Sequence, residues 1–168
     1  MISYEDFEKK PMSTKKLFTL CIVQKEERVL LGMKKRGFGQ GRWNGFGGKV
    51  KEGESIEEAM KRELKEEAGI AALSFEKKGL LEFRFKDNPE YLEVHVFHIP
   101  FFKGNPQETE EMRPQWFLKE EIPFDTMWPD DKYWLPLFLE GKFLRGQFSF
   151  GDDKTLLDYT IKEVDFLI

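Results

Sequence analysis

The sequence predicts an α+β domain in which a mixed β-sheet is packed between helices. Two observations lead to this prediction: many short apolar runs rich in β-branched and aromatic residues, and one strongly marked helix with a weaker second one. The 168 residues are enough for one compact domain and too few for two ordinary ones. We therefore expect a loose N-terminal extension over residues 1–16 and a single domain over residues 17–168.

The predicted strands are apolar runs separated by charged or turn-forming residues. Lys25, Glu26 and Glu27 separate the first two runs and predict a hairpin. Residues 87–90 form a turn between two later runs, and residues 151–153 join the last two. The predicted strands cover residues 17–24, 28–34, 80–85, 92–102, 113–118, 143–150 and 156–164.

The strongest local signal is a helix that begins after Ser55 and ends at Gly69. Ser55 and the glutamate three residues later form a capping box, and glycine is the usual residue directly after a helix. A second, shorter helix is predicted over residues 132–140 in spite of Pro136. The glycine-rich stretch 37–48 predicts backbone that turns sharply or approaches another group closely.

Composition argues against several classes of partner. The net charge of −4 disfavours a nucleic-acid polymer, because phosphate backbones bind basic surfaces. No apolar run approaches the ~20 residues of a membrane span, so we expect no membrane partner. Residues 1–16 are polar and carry acids, unlike a secretory signal or a transit peptide. The single cysteine, Cys21, can form no internal disulfide, which is typical of a reducing compartment. We expect a cytoplasmic monomer that acts on a small molecule, with mitochondrial or nuclear pools as alternative locations.

One face of the predicted helix combines apolar and acidic side chains. With Ile56 placed at 0° and ~100° per residue, the apolar stripe ends with Leu64 near ~80°. On the same wheel Glu63 falls near ~340°, Glu67 near ~20° and Glu66 near ~280°. Two or three carboxylates therefore lie within or beside the apolar face.

Carboxylates that face a protein interior lose hydration, and like charges one helical turn apart repel each other. A divalent cation removes both penalties, and oxygen-only ligands select Mg²⁺, with Mn²⁺ as the alternative ion. The competing interpretation is a solvated acidic face paired with Arg62 and nearby lysines. Helix geometry alone leaves both interpretations open.

A longer pattern relates this helix to a known family. Gly48, Glu54 and the run RELKEEAGI over residues 62–70 reproduce the Nudix box at every fixed position. The chain thus resembles the Nudix hydrolases. The resemblance implies the Nudix fold and magnesium-dependent hydrolysis of a diphosphate linkage.

A second resemblance extends over about residues 17–164 and concerns one branch of the family. Segments 32–39, 41–50, 111–114 and 127–131 look like those of the animal MutT homologues, the oxidised purine nucleoside triphosphatases. This resemblance implies hydrolysis of 8-oxo-dGTP and 2-hydroxy-dATP to monophosphates with release of diphosphate. Such a reaction would sanitise the nucleotide pool before mutagenic precursors enter DNA.

The resemblance also implies roles for acidic and basic residues around the box. Glu111, outside the box, would be a further metal ligand or the base for the attacking water. Arg62 would brace the carboxylates through charge-assisted hydrogen bonds. The implied catalytic residues are Arg62, Glu63, Glu67 and Glu111, and the implied metal ligands are Gly47, Glu63, Glu66, Glu67 and Glu111.

Base recognition would fall to Asn44, Asp130 and Asp131, with Trp128 stacking on the purine. Two neighbouring carboxyls in an apolar cleft should not both ionise, so one can donate a hydrogen bond while the other accepts. The competing interpretation is that the pair caps a helix that begins near Lys132.

The remaining implied contacts are Thr19, Phe38 and Phe83 as pocket walls and Lys34 as a phosphate contact. For each of the three wall residues a place in the core is a nearly equal alternative. For Lys34 the alternative is an exposed lysine at a strand end.

Three other functions compete with this interpretation. A Nudix hydrolase of a dinucleoside polyphosphate or ADP-ribose would share the box and differ in the pocket. A catalytically silent nucleotide-binding module is disfavoured by the intact Glu63, Glu66 and Glu67. An acidic interaction domain would require the Nudix match to be accidental.

Overall fold

A computed structural model describes residues 14–152 and 154–167 of the chain. Within them the chain forms nine β-strands, two α-helices and two short 3₁₀ segments, Lys119–Glu121 and Phe124–Thr126. The elements in chain order are β1 (Thr14–Lys25), β2 (Arg28–Lys34), β3 (Trp43–Asn44), β4 (Phe46–Lys49), α1 (Ile56–Ala68), β5 (Ala71–Phe85), β6 (Glu90–Lys103), β7 (Met112–Leu118), α2 (Asp131–Leu139), β8 (Phe143–Asp152) and β9 (Thr155–Val164).

The strands form one mixed sheet in the order β3-β2-β1-β6-β5-β8-β9, while β4 also pairs with β1 and β7 with β2. The β1–β6 and β5–β8 pairs are parallel, and the other pairs are antiparallel. The predicted hairpins β1–β2 and β8–β9 are confirmed.

The two helices cover opposite faces of this sheet. Met60 and Leu64 of α1 pack in one cluster with Cys21 of β1. Phe138 of α2 packs in the other cluster with Ile22, the next residue of β1, whose side chain points to the opposite face. The predicted α+β architecture, with a mixed sheet between helices, is therefore confirmed.

Helix α1 begins and ends where its local signals predict. The Ser55 hydroxyl accepts from the Glu58 amide, the Glu58 carboxylate accepts from the Ser55 amide, and Gly69 adopts the left-handed conformation. Helix α2 spans Asp131–Leu139, close to the predicted residues 132–140. No helix in the described ranges is both long and apolar enough to cross a membrane.

The structure corrects two boundaries. Thr14, Lys15 and Lys16 belong to β1, where they pair with the start of β6, so the predicted extension is too long by at least these three residues. The rest of it lies outside the described residues. Strand β5 begins at Ala71, nine residues before the predicted run. The prediction missed this first part because register shifts between residues 72 and 79 break the two-residue apolar alternation of the strand.

Candidate active site

A cavity of about 460 Å³ opens between β1, β6 and the segment that leads into α2. Its walls are mostly aromatic and aliphatic, and Glu67, Asp130 and Asp131 are the acidic side chains among them. Ten residues that the sequence assigned to the site line this one cavity: Thr19, Lys34, Phe38, Asn44, Gly47, Glu67, Phe83, Trp128, Asp130 and Asp131. The structure thus brings these residues together, while their individual roles stay predictions.

Glu67 is one of the buried acids that line the cavity. Only 4% of the residue is exposed, and its Oε1 accepts a 2.7 Å hydrogen bond from the Gly47 amide. Burial raises the pKa of this carboxyl to about 7, although the Gly47 amide and Lys34 favour its charged form. A carboxylate buried in this way is suited to binding a cation.

Arg62 binds two other acids of the helix and Glu54, which precedes the helix. Its guanidinium donates to Glu54 Oε1 and Oε2 at 2.9 and 2.6 Å, to Glu63 at 2.8 Å and to Glu66 at 3.2 Å. The predicted bracing contacts are therefore present. Glu66 is exposed and both Glu54 and Glu63 are half-buried, so of the four box glutamates only Glu67 is buried.

Glu111 is held between two cations beside Glu67. Its carboxylate accepts from Lys34 Nζ at 3.1 Å and from Arg36 Nη2 at 2.6 Å. These hydrogen bonds hold the pKa of Glu111 below its usual range. Lys34 Nζ also lies 3.7 Å from Glu67 Oε2, so Lys34 joins the two acids and is not the freely exposed lysine that was the alternative.

The donor set fits a hard divalent cation in its chemistry. The carboxylates of Glu63 and Glu67 lie next to the Gly47–Gly48 backbone. Lys34 contacts the carboxylates of both Glu67 and Glu111. In their present positions no three acidic, histidine or cysteine side chains among residues 14–152 and 154–167 converge as a metal cluster. The carboxylate oxygens that an ion would bind are paired instead with three cationic side chains, those of Arg62, Lys34 and Arg36.

Close packing explains the two glycines of β4. A Cβ on Gly47 would lie 1.8 Å from the Thr19 carbonyl oxygen, and a Cβ on Gly48 would lie 2.6 Å from Glu63 Oε1. Gly47 therefore permits the pairing of β4 with β1, and Gly48 leaves room for the Glu63 carboxylate. The sequence indicated a close approach here without identifying these partners.

Asp130 and Asp131 also line the cavity, and both are 3% exposed. Asp130 occupies the N-cap position of α2, but its side chain makes no capping hydrogen bond. The competing helix-cap interpretation is therefore wrong. Burial raises the pKa of Asp130 to about 6, and burial together with the charge of Asp130 raises the pKa of Asp131 well above its usual range.

Aromatic rings form a large part of the cavity wall. Trp128 is half-buried, and the largely exposed Phe38 ring lies 4.8 Å from it between centroids. Arg42 stacks on Trp128 with Cζ 4.1 Å from the ring centroid. Phe83 stacks on Phe148 at 5.2 Å, so Phe83 serves both the cavity wall and the core.

Asn44 lines the cavity from β3. Its side-chain Oδ1 accepts a 2.8 Å hydrogen bond from the Gly45 amide, which fixes the orientation of the amide group. The Asn44 side chain is thus a held polar group on an otherwise apolar wall.

Sequence reasoning missed a group of apolar lining residues and Arg42. The apolar members are Phe18, Leu20, Phe85, Val94 and Phe150. Their two-residue alternation along the strands indicates one sheet face, but it does not distinguish a core position from a cavity wall. The presence of Arg42 beside Trp128 depends on tertiary contacts.

In the described part of the chain, three buried side-chain polar atoms have no hydrogen-bond partner: Thr19 Oγ1, Arg42 Nη1 and Asp131 Oδ2. Thr19 and Asp131 line the cavity, and Arg42 stacks on its Trp128 wall. Buried polar atoms are normally paired, so unpaired atoms at a cavity indicate a site for a polar ligand.

Comparison with known proteins agrees with this geometry. The NUDIX domain model matches residues 15–138. The chain is 54% identical over 154 residues to the oxidized purine nucleoside triphosphate hydrolase of Mus musculus, covering 92% of this chain and 99% of that protein. It is 48% identical over 156 residues to the protein of the same name from Danio rerio, covering 93% and 100% of the two chains.

Among solved structures, a mutator MutT protein from Bacillus halodurans superposes with a TM-score of 0.77 and 31% identity, covering 88% of this chain and 97% of that one. The family model, these relatives and the mixed sheet with its two helices agree. The chain belongs to the NUDIX family.

Proposed function

We propose that this chain hydrolyses oxidised purine nucleoside triphosphates, 8-oxo-dGTP and 2-hydroxy-dATP, to the monophosphate and diphosphate. One observation carries the proposal: the buried Asp130–Asp131 pair and Glu67 line the same aromatic cavity. We assign the base to an aspartate end, formed by the pair, and the phosphates to a glutamate end, formed by Glu67. The Mus musculus and Danio rerio relatives, both named oxidized purine nucleoside triphosphate hydrolase, support the same class of substrate.

The aspartate end is suited to the edge of a purine base. Two buried carboxyls, one neutral and one charged, offer a donor and an acceptor side by side. A change in which acid holds the proton would let the pair meet differently altered purine edges. Trp128 and Phe38 would pack on the ring system, and Asn44 would add a polar contact.

The glutamate end is suited to the phosphates. Glu63, Glu66, Glu67 and Glu111 with the Gly47 backbone are the proposed ligands of Mg²⁺, or alternatively of Mn²⁺. When bound, the ion would neutralise charge on phosphate oxygens and lower the pKa of the attacking water.

This chain's own residues would position the reactants. Arg62 holds Glu63 and Glu66 toward the phosphate end. Lys34 lies between Glu67 and Glu111 and would contact phosphate oxygens when a cation takes over its carboxylate partners. Glu111 is proposed as a further ligand or as the base that accepts the proton of the attacking water.

We further propose that the chain works as a monomer on free nucleotides in the cytoplasm. The net charge of −4 supports a free nucleotide over a nucleic-acid polymer. Light scattering on the purified chain would give one chain per particle, and a dimer mass would contradict this part of the proposal.

The test of the reaction is diphosphate release from a panel that contains 8-oxo-dGTP, 2-hydroxy-dATP, dGTP, dATP, ADP-ribose and diadenosine polyphosphates, each with and without Mg²⁺. The proposal expects kcat/KM to be highest for the two oxidised triphosphates and to require the metal. Preference for ADP-ribose or a diadenosine polyphosphate would retain the metal end and overturn the proposed base recognition.

A further inference from the structure

The end of helix α1 is closed by a distant part of the chain, residues 107–112, which we call the clip. The last carbonyls of a helix have no partner inside it. Here the Ala68 carbonyl accepts from the Gln107 amide at 2.9 Å, and the Glu67 carbonyl accepts from the Thr109 hydroxyl at 3.1 Å. The clip therefore binds the backbone of Glu67, whose carboxylate lines the cavity.

The same hydroxyl organises the clip itself. Thr109 Oγ1 accepts hydrogen bonds from the amides of Glu111 at 3.3 Å and Met112 at 3.2 Å. The Thr109 amide in turn donates to the Met112 carbonyl at 2.9 Å. One side-chain oxygen thus connects the backbone of Glu67 to the backbone of Glu111.

Lys35, the residue that follows β2, also holds the clip. The Lys35 amide donates to the Glu111 carbonyl at 2.8 Å, and Lys35 Nζ donates to the Thr109 carbonyl at 2.8 Å. The side chain of the preceding residue, Lys34, reaches both Glu67 and Glu111. The separation of these two carboxylates is therefore determined by the clip, α1 and β2 together, with Thr109 at their meeting point.

We propose that Thr109 is a positioning residue that sets Glu111 against Glu67 for divalent-cation binding, through the three hydrogen bonds of its hydroxyl. The proposal rests on the proposed function of the glutamate end. Thr109 touches neither substrate nor metal in this scheme. Its effect passes through the backbone of the two residues that carry the carboxylates.

Three variants separate this role from a general loss of stability. Thr109→Val keeps the shape and removes the hydroxyl, whereas Thr109→Ser keeps the hydroxyl and removes a methyl group. The matched control is Thr126→Val, because the Thr126 hydroxyl also donates to a backbone carbonyl, that of Pro123 at 3.1 Å, but lies on the exposed surface away from the glutamates.

The readout is Mn²⁺ affinity, measured by electron paramagnetic resonance of free Mn²⁺ well below the unfolding temperature, together with kcat and KM. We expect Thr109→Val to weaken Mn²⁺ binding and lower kcat about 10-fold, as loss of a supporting contact around a metal site does. KM for 8-oxo-dGTP should change less than twofold, and Thr109→Ser and Thr126→Val should match the wild type. A Thr109→Val protein with a lowered Tm but wild-type Mn²⁺ affinity would overturn the proposal.

Combination with Glu111→Gln tests the route of the effect. If Thr109 acts through Glu111, Thr109→Val should weaken Mn²⁺ binding much less in the Glu111→Gln background than in the wild type. Full additivity would contradict the proposal. A wild-type chain that neither binds Mn²⁺ nor hydrolyses a nucleotide would instead overturn the proposed function.

If Thr109→Val does not fold, hydrogen exchange of the wild-type chain supplies the evidence. The Glu111 and Met112 amides should exchange slowly, and Mn²⁺ should slow them further. If these two amides exchange as fast as amides in an open loop, and Mn²⁺ does not slow them, the clip does not hold Glu111 in place and the proposal is contradicted.

Discussion

Trp134 donates its indole N–H to Asp130 Oδ2 across 2.8 Å. The donor lies one turn into α2, so the Asp130 carboxyl is turned to the indole and makes no hydrogen bond to the helix backbone. Asp131 differs, because its Oδ2 is buried and has no partner. The two neighbouring acids are therefore unequal, because a side-chain oxygen of Asp131 is buried without a partner in the described part of the chain.

The first prediction concerns Asp131→Asn. An amide at this position cannot lose a proton, so the pair can no longer exchange donor and acceptor. We expect the ratio of kcat/KM for 8-oxo-dGTP to that for dGTP to fall about 10-fold or more, since a buried unmatched polar group costs roughly 1–3 kcal/mol. Steady-state assays on both nucleotides measure the ratio, with Asp125→Asn on the exposed segment before α2 as the control. An unchanged ratio would rule out base reading by the pair.

The second prediction concerns stability and pH. Burial raises the pKa of Asp130 to about 6 and the pKa of Asp131 well above its usual range. Aspartates in the unfolded chain lose their protons near pH ~4. Between that pH and the raised pKa values, the folded state therefore holds protons that the unfolded state has released. The free energy of unfolding contributed by the pair is therefore largest near pH 4 and falls as pH rises. Urea unfolding at several pH values should show a smaller decline for Asp131→Asn than for the wild type. Parallel curves would contradict the buried, proton-holding pair.

The third prediction concerns the contact of Arg42 with Trp128, whose Cζ lies 4.1 Å from the ring centroid. Arg42→Met removes a cation–π contact that contributes roughly 1 kcal/mol, so we expect KM for 8-oxo-dGTP to rise about fivefold. Arg113→Met is the matched control, because Arg113 stacks at 5.1 Å on Trp43, which does not line the cavity. Equal KM values for the two variants would show that the Arg42 contact does not support the Trp128 wall.

The fourth prediction concerns Gly48. A methyl group there would meet Glu63 Oε1 at 2.6 Å, so Gly48→Ala must displace that carboxylate. We expect weaker Mn²⁺ binding, by about 10-fold, in a protein that still folds. Gly151→Ala is the control, because its Cβ would make only an ordinary 3.5 Å contact with Leu157. Wild-type Mn²⁺ affinity in Gly48→Ala would argue against Glu63 as a ligand.

The parts of the fold that the sequence predicts well depend on local signals. Ser55, Glu58 and Gly69 act within one or two helical turns, so both ends of α1 could be placed in advance. Strand β5 could not, because its bulges between residues 72 and 79 respond to pairing with residues 96–102, on the other arm of the β5–β6 hairpin. The two-residue β3 is too short to carry a periodic signal.

The site divides in the same way. The helical wheel placed Glu67 inward, and the structure buries it, because helix geometry is local. The wheel could not show that Arg62 binds Glu54, Glu63 and Glu66 at once, or that Lys34 binds both Glu67 and Glu111, which follows it by 77 residues. The contact of Lys34 with Glu111 depends on the pairing of β2 with β7, which no single segment encodes.

The central claim is that one cavity has a base-reading end and a hydrolytic end that can be separated by substitution. The most direct measurement compares 8-oxo-dGMP affinity with hydrolysis of 8-oxo-dGTP in the wild type, Glu67→Gln and Asp131→Asn. The account predicts that Glu67→Gln binds the monophosphate like the wild type but hydrolyses the triphosphate at least ~100-fold more slowly. Asp131→Asn should lose monophosphate affinity instead and keep Mg²⁺-dependent hydrolysis of dGTP. Wild-type hydrolysis by Glu67→Gln, or wild-type affinity in Asp131→Asn, would contradict it.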